Sequence, residues 1–194
     1  MCNYEEEKQS VVESSVVTTT SNDNVTNSST TIETESTTTV TTETTTTITE
    51  STTTHNKYFD IPLSTDLQDY MYQMSDEYDV PVELIIALID VESNFQSDVI
   101  SRTNDYGLGQ INICNHEWLK EQLGLDNLLD PYQNIKATTH IIAGHYNNND
   151  GDVNKAVMCY NAGAGGAASM WRRGIYSTAY SRKVVDTYKE YLSV

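Results

Sequence analysis

Bulky apolar positions are sparse over the first 57 residues of this chain and recur every three or four residues through the remainder. Residues 11–54 are dominated by Thr, with Ser, Val and scattered Glu, and offer too little apolar surface to offset chain entropy. Residues 1–57 therefore read as a disordered Thr-rich tether, whose dense hydroxyls suit a stalk-like segment. Helical spacing begins at Tyr58. Thr65-x-x-Gln68 predicts a capping box opening a helix to about Tyr78, with Leu67, Tyr70, Met71 and Met74 on one face. Val80-Pro81 ends it, and Pro81 suits the first position of a second helix running to Ser93. In that helix Ile85, Leu88, Ile89 and Glu92 fall at i, i+3, i+4 and i+7, one helical face. A polar loop with Asn94, Ser101, Asn104 and Asp105 follows, then a short helix over residues 116–123. Asp130-Pro131 starts a helix toward Tyr146 with Ile135, Thr138, Thr139, Ile142 and Tyr146 spaced for packing. After a turn at residues 147–152, a helix over 153–161 leads into a Gly163-Ala164-Gly165-Gly166 loop, and a last helix spans about 177–192. No run alternates apolar and polar residues enough to demand a sheet. The expected fold class is all-α, a single domain over residues 58–194.

Charge narrows the partners. The net charge is -17 and the pI about 4.3, which argues against binding nucleic acid or an anionic membrane through a general basic surface. Residues 1–57 hold nine acidic and two basic side chains, so the folded part is acidic in its own right. Arg172, Arg173, Arg182 and Lys183 form the dense basic cluster, and both a solvated helix end and a groove role fit them. Cys2, Cys114 and Cys159 have neither metal-ligand spacing nor a redox pair. A Cys114–Cys159 disulfide in an exported chain and two buried thiols both remain open. No transmembrane segment of ~20 apolar residues is present, nor the apolar core of a signal peptide. Cys2 reads either as the acylated cysteine of a processed lipoprotein or as a start-site residue.

Glu92 carries the chemistry. A carboxyl at the end of an apolar stripe loses hydration, which disfavours its charged form and keeps a proton available near neutrality, as a general acid requires. The competing reading is a helix-terminal glutamate exposed to water. Glycosidic cleavage usually employs a second carboxylate, yet Asp98 and Asp105 both sit in turn-like contexts. A single acid points to a mechanism in which the acetamide of an N-acetylated sugar supplies the nucleophile. No metal or cofactor is expected. Asn147 to Asp152 resembles a calcium loop only superficially, since Gly151 at the sixth position puts Tyr146 first and Val157 twelfth, where carboxylates are needed. His140 and His145 are off one another's helical face and read as packing or surface residues. Tyr160, before Asn161-Ala162-Gly163, and Tyr180, in Ala179-Tyr180-Ser181-Arg182-Lys183-Val184, stand apart from the other tyrosines by context.

Five blocks occur in order: Ile89-Asp90-Val91-Glu92-Ser93-Asn94-Phe95, Tyr106-Gly107-Leu108-Gly109-Gln110-Ile111-Asn112, Asp130-Pro131-Tyr132-Gln133-Asn134-Ile135, Tyr160-Asn161-Ala162-Gly163 and Tyr180-Ser181-Arg182-Lys183-Val184. Together, over about residues 64–194, they resemble the soluble-type lytic transglycosylases of the lysozyme-like superfamily. The resemblance implies a lysozyme-like fold and cleavage of the β-1,4 bond between N-acetylmuramic acid and N-acetylglucosamine in peptidoglycan, leaving a 1,6-anhydromuramic end. It implies Glu92 as general acid and base, Gln110, Tyr160 and Asn161 as residues lining the sugar sites, and Tyr180 as a tyrosine beside the glutamate. Many members have methionine where Gly109 stands, which implies a missing sugar-contacting side chain. Gly-Leu-Gly-Gln also occurs in relatives that open the wall for secretion or conjugation machines. Location in the cell envelope or outside the cell, and a monomer acting on glycan strands, follow from the same resemblance. Two alternatives stand beside it: a goose-type muramidase using water as nucleophile, and a non-catalytic wall-binding surface protein.

Overall fold

The computed structural model describes residues 58–194, and the expected tether over residues 1–57, Cys2 included, lies outside them. The described chain runs α1 (Thr65–Tyr78), α2 (Val82–Ser93), β1 (Asp105–Tyr106), β2 (Ile111–Asn112), a 3-10 turn (Ile113–Asn115), α3 (His116–Leu123), α4 (Pro131–Asn147), α5 (Val153–Arg172) and α6 (Ala179–Leu192). No helix among the described residues is long and apolar enough to cross a membrane.

The core is built around α2. Leu84, Ile85, Ile86, Ala87, Leu88 and Ile89 are all buried in succession, so the stripe read from the sequence is one side of a helix that is apolar all round. Such a helix belongs inside a domain, and α2 packs against α1, α4 and α6. Each large aliphatic side chain buried there contributes roughly 1.5–3 kcal/mol. Pro81 is the N-cap of α2 and lies just outside it, one position earlier than expected. The proposed capping box on α1 is also displaced: Ser64 is the N-cap and accepts from the Leu67 amide at 3.3 Å. Gln68 instead staples the preceding segment, accepting from Phe59 N at 2.8 Å and donating to the carbonyls of Phe59 and Leu63 at 3.2 and 3.1 Å. A long amide one turn inside a helix reaches backbone that no spacing rule locates.

The all-α expectation holds with one exception, a two-stranded antiparallel hairpin pairing Asp105 with Asn112 and Tyr106 with Ile111. Its strands have two residues each, too short for any alternation to register. Asn134, buried on α4, shapes the loop between them. Its Nδ2 donates to the carbonyls of Tyr106 and Leu128 at 2.8 and 2.7 Å, and its Oδ1 accepts from Gly109 N at 2.7 Å. Gly109 lies so close to α4 that a Cβ there would stand 1.9 Å from Thr138 Oγ1. Position 109 of this chain faces Thr138, so the glycine here is a packing requirement.

Residues 163–166 do not form the expected loop. Gly163 alone leaves helical geometry (φ 71°, ψ 156°), and the chain then resumes its helix to Arg172. Burial of Ala167 and a bond from Trp171 Nε1 to Met158 Sδ at 3.5 Å hold this second half against the first. The last helix starts at Ala179 rather than Ser177, because Thr178 and Ser181 cap each other reciprocally, each amide donating to the other's hydroxyl at 3.0 Å. The Cys114–Cys159 bridge does not form: Cys159 is a buried free thiol among Met158 and Ala167, while Cys114 stands at an exposed turn. His140 packs edge-on against Tyr78 and tilted against Trp118, and burial lowers the pKa of both His140 and His145.

Asn134→Ala removes three bonds to buried or half-buried backbone groups. It should lower unfolding free energy by roughly 2–4 kcal/mol and speed amide exchange of Gly109, measured by denaturant titration and by hydrogen exchange.

Candidate active site

Glu92 sits half-buried on the last turn of α2. Its pKa is raised to about 7. Burial is the largest cause; a hydrogen bond from Tyr180 lowers it, the negative charge of Asp105 raises it, and Lys183 lowers it. The free carbonyls at the C-terminal end of α2 carry the same sign as Asp105 and oppose ionisation as well. The group therefore exchanges its proton in the neutral range.

Tyr180 is the immediate partner. Its hydroxyl donates to Glu92 Oε1, placed there because the Thr178 cap starts α6 two residues before it. Burial, then the adjacent Glu92 charge, raises the Tyr180 pKa, so this phenol remains a donor across the working pH range. Tyr160 lies near enough to Tyr180 to add to that shift. From α5, the Tyr160 hydroxyl donates to the Gly109 carbonyl at 2.7 Å. Glu92, Tyr180, Tyr160 and the hairpin loop are thereby gathered from four separate stretches of chain.

Gln110 occupies that loop with a positive φ of 50°. Its amide donor is directed inward, to the Gly107 carbonyl at 2.9 Å and the Val99 carbonyl at 3.4 Å. It braces the loop, a task its place in the motif did not reveal. Asn161 is exposed on α5, two residues before the Gly163 kink, and no bond draws its side chain toward Glu92.

Asp105 is the carboxylate whose charge reaches Glu92. Burial alone would raise its pKa, but donors from Ser101, Thr103 and Asn112 outweigh that and hold it below the usual carboxylate range. Ser101 Oγ and Thr103 Oγ1 both bond Oδ2, and Asn112 Nδ2 bonds Oδ1 at 2.7 Å. Asp105 is thus a committed anion knitting the hairpin, as its turn-like context suggested, and adds its field at Glu92. The sequence concealed Asn134 as a site-forming residue. The available signal was a polar pair, Asn134 and Thr138, at i and i+4 among the apolar packing positions Ile135, Ala137 and Ile142 of α4. A cavity of about 330 Å³ beside Tyr78, Trp118 and His140 contains neither Glu92 nor Tyr180 and is separate from this cluster.

Residues 69–181 match the family model described as the Transglycosylase SLT domain. The fold is similar to that of an inactive mutant of the lytic transglycosylase Slt from Pseudomonas aeruginosa, at 19% identity over 69% of this chain and 25% of that one, with a TM-score of 0.57. It is similar also to the 70 kDa soluble lytic transglycosylase from Escherichia coli, at 19% identity over 68% of this chain and 25% of that one, with a TM-score of 0.57. This chain spans about a quarter of the length of each. The shared fold is the all-α lysozyme-like arrangement.

The raised pKa sets a stability test. A buried carboxyl that holds its proton more tightly when folded makes the folded state less stable as pH rises from the ordinary value of 4.5 through about 7. Glu92→Gln removes that cost, which approaches about 3 kcal/mol above neutrality. Its Tm should exceed that of the unsubstituted protein by several degrees at pH 8.5 and by little at pH 4, measured by calorimetry.

Proposed function

Because this chain belongs to the transglycosylase SLT domain family, we propose that it is a peptidoglycan lytic transglycosylase. In this reading it cleaves the β-1,4 bond between N-acetylmuramic acid and N-acetylglucosamine and forms a 1,6-anhydromuramic end. The observation that carries it is one carboxyl poised near pH 7 beside one carboxylate already saturated with donors. Protonated Glu92 gives its proton to the glycosidic oxygen, and the bond to the anomeric carbon breaks. The substrate's acetamide oxygen stabilises that carbon, which removes the need for an enzymic nucleophile. Glu92, now an anion, accepts the Tyr180 hydrogen bond and then takes the proton of the muramic 6-hydroxyl as that oxygen closes on the anomeric carbon. The pKa of about 7 suits both halves, since an efficient acid–base group titrates near the operating pH.

Tyr160 positions the loop that carries Gln110, and Asn161, exposed next to it in sequence, offers an amide for the acetamide or hydroxyls of a bound sugar. Residues 58–194 act as the catalytic unit and the Thr-rich residues 1–57 as a tether in the cell envelope. A goose-type muramidase would use the same glutamate with water as nucleophile. Asp105 is the group that would have to orient that water, and its three donors leave it poorly suited.

Muropeptides released from purified sacculi should carry anhydro ends, lighter by one water than hydrolytic products, as read by mass spectrometry. Hydrated reducing ends alone would establish the muramidase. Glu92→Gln should lower the rate at least about 1000-fold, and unchanged lysis would remove Glu92 from the mechanism. Activity of the unsubstituted protein should fall as pH rises past about 7, and a rate flat into the alkaline range would contradict the acid role.

A further inference from the structure

The cavity of about 330 Å³ apart from Glu92 is walled by the end of α1, by α3 and by the last turns of α4. Its wall is aromatic. His140 meets Tyr78 edge-on with ring centroids 5.5 Å apart, and meets Trp118 at 5.4 Å with a tilt of 42°. Three rings from three helices brace one another, so the platform stands before any ligand arrives. Gly144 belongs to the same lining, a turn before the end of α4. Glycine weakens a helix relative to alanine, and nothing inside the protein calls for it here. Its backbone is not left-handed, and a Cβ at 144 would meet nothing within 4 Å, whereas at Gly107 and Gly109 a neighbouring helix forces the choice. The space kept open at 144 belongs to the cavity.

The chemistry of the lining narrows the ligand. In a chain of net charge -17, no Asp, Glu, Lys or Arg lines this cavity. Burial lowers the pKa of His140 and of His145, which also lines it, so both rings are neutral at neutral pH. Each neutral imidazole offers one donor and one acceptor, and the side-chain amides of Asn147 and Asn148 offer both kinds as well. Among the described residues no hydrogen bond engages these two rings or these two amides, and none of their polar atoms is sealed away from solvent. A charged ligand would be desolvated here without a counter-charge. A wholly apolar one would leave the polar edge idle. A neutral ring with an apolar face and with hydroxyl and acetamide groups at its rim uses the platform and the edge together.

We propose that the cavity between Tyr78, Trp118, His140 and Gly144 is a second, non-catalytic site that binds a single uncharged N-acetylated sugar ring and anchors the protein on glycan. The source of that ring, the wall polymer, rests on the lytic transglycosylase reading above. At about 330 Å³ the space lies at the small end of the range for organic ligands, about 300–1,000 Å³, which suits one ring rather than a strand. Asn134, which shapes the hairpin loop, and Gly144 lie on the same helix, about 15 Å apart along its axis. Glycan held at the cavity is therefore kept at a fixed offset from the loop that carries Gln110, and its local concentration there rises without any new contact at Glu92.

The test follows the indole N–H signals of Trp118 and Trp171, the two tryptophans of the chain, by nitrogen-15 NMR as N-acetylglucosamine is added to full-length Glu92→Gln protein. The expected result is a saturable shift at Trp118 with a Kd in the millimolar range, the affinity that one sugar ring supports. Gly144→Leu fills the cavity with a better helix former, so it should abolish that shift with Tm unchanged or raised. In the Glu92→Gln background it should also lower the amount bound to purified sacculi about fivefold, and in otherwise unsubstituted protein it should leave cleavage of short soluble strands as it was. A Trp118 signal that stays still, one that moves equally with Gly144→Leu, or sacculus binding untouched by that substitution overturns the proposal. Saturation by N-acetyltyrosinamide and not by the sugar assigns the cavity to a protein segment and overturns it too. All of these leave the catalytic reading intact, because anhydro products test that separately. Sugar binding at Trp118 with no cleavage of sacculi by the unsubstituted protein sinks the catalytic reading and leaves the sugar site standing.

Discussion

The site depends on a carboxyl being carried into a poorly hydrated place by a helix that cannot be anywhere else. Six consecutive buried residues of α2, Leu84 to Ile89, commit that helix to the centre of the domain, and its last turn delivers Glu92 to Tyr180. The cost of ionising Glu92 there is the basis of its pKa of about 7. Packing energy summed over many aliphatic side chains is thus converted into the protonation state of one. The Tyr180 hydroxyl moderates the effect, since its hydrogen bond favours the anion.

The opposite wall is assembled from polar contacts. Asn134 and Thr138 present a flat, close-fitting face to Gly107 and Gly109, and Asn134 satisfies the backbone of the turn that results. Tyr160 then ties α5 to the same loop through the Gly109 carbonyl. Asp105 and its donors close the far end of the hairpin. Glycine at these two positions is a packing requirement imposed by α4, and the loop in turn is what holds Gln110 with its left-handed backbone. The shape of the hairpin loop therefore follows from residues on α4 and α5.

Helix positions and the burial of the α2 stripe were legible because apolar spacing at three and four residues reports directly on core contact. Asp130-Pro131 opening α4 is a local signal of the same kind, confirmed by the Asp130 side chain accepting from Gln133 N at 2.9 Å. What escaped was set by contacts between distant stretches. The two-residue strands have no period to detect, Gln68 reaches back to Phe59 rather than to its own helix start, and Gly163 interrupts a helix that its glycine-rich surroundings suggested had ended. Glu92, Tyr180 and Tyr160 were identifiable as individuals by context and motif. Their meeting through Tyr180, and the inward turn of the Gln110 amide, required the fold.

The most direct test of the central claim is a carbon-13 NMR titration of the Glu92 side-chain carboxyl in the unsubstituted protein, assigned against Glu92→Gln. The account predicts a midpoint near 7. A midpoint near the ordinary value of 4.5 would show a hydrated carboxylate with no proton to give at neutral pH, and would contradict it.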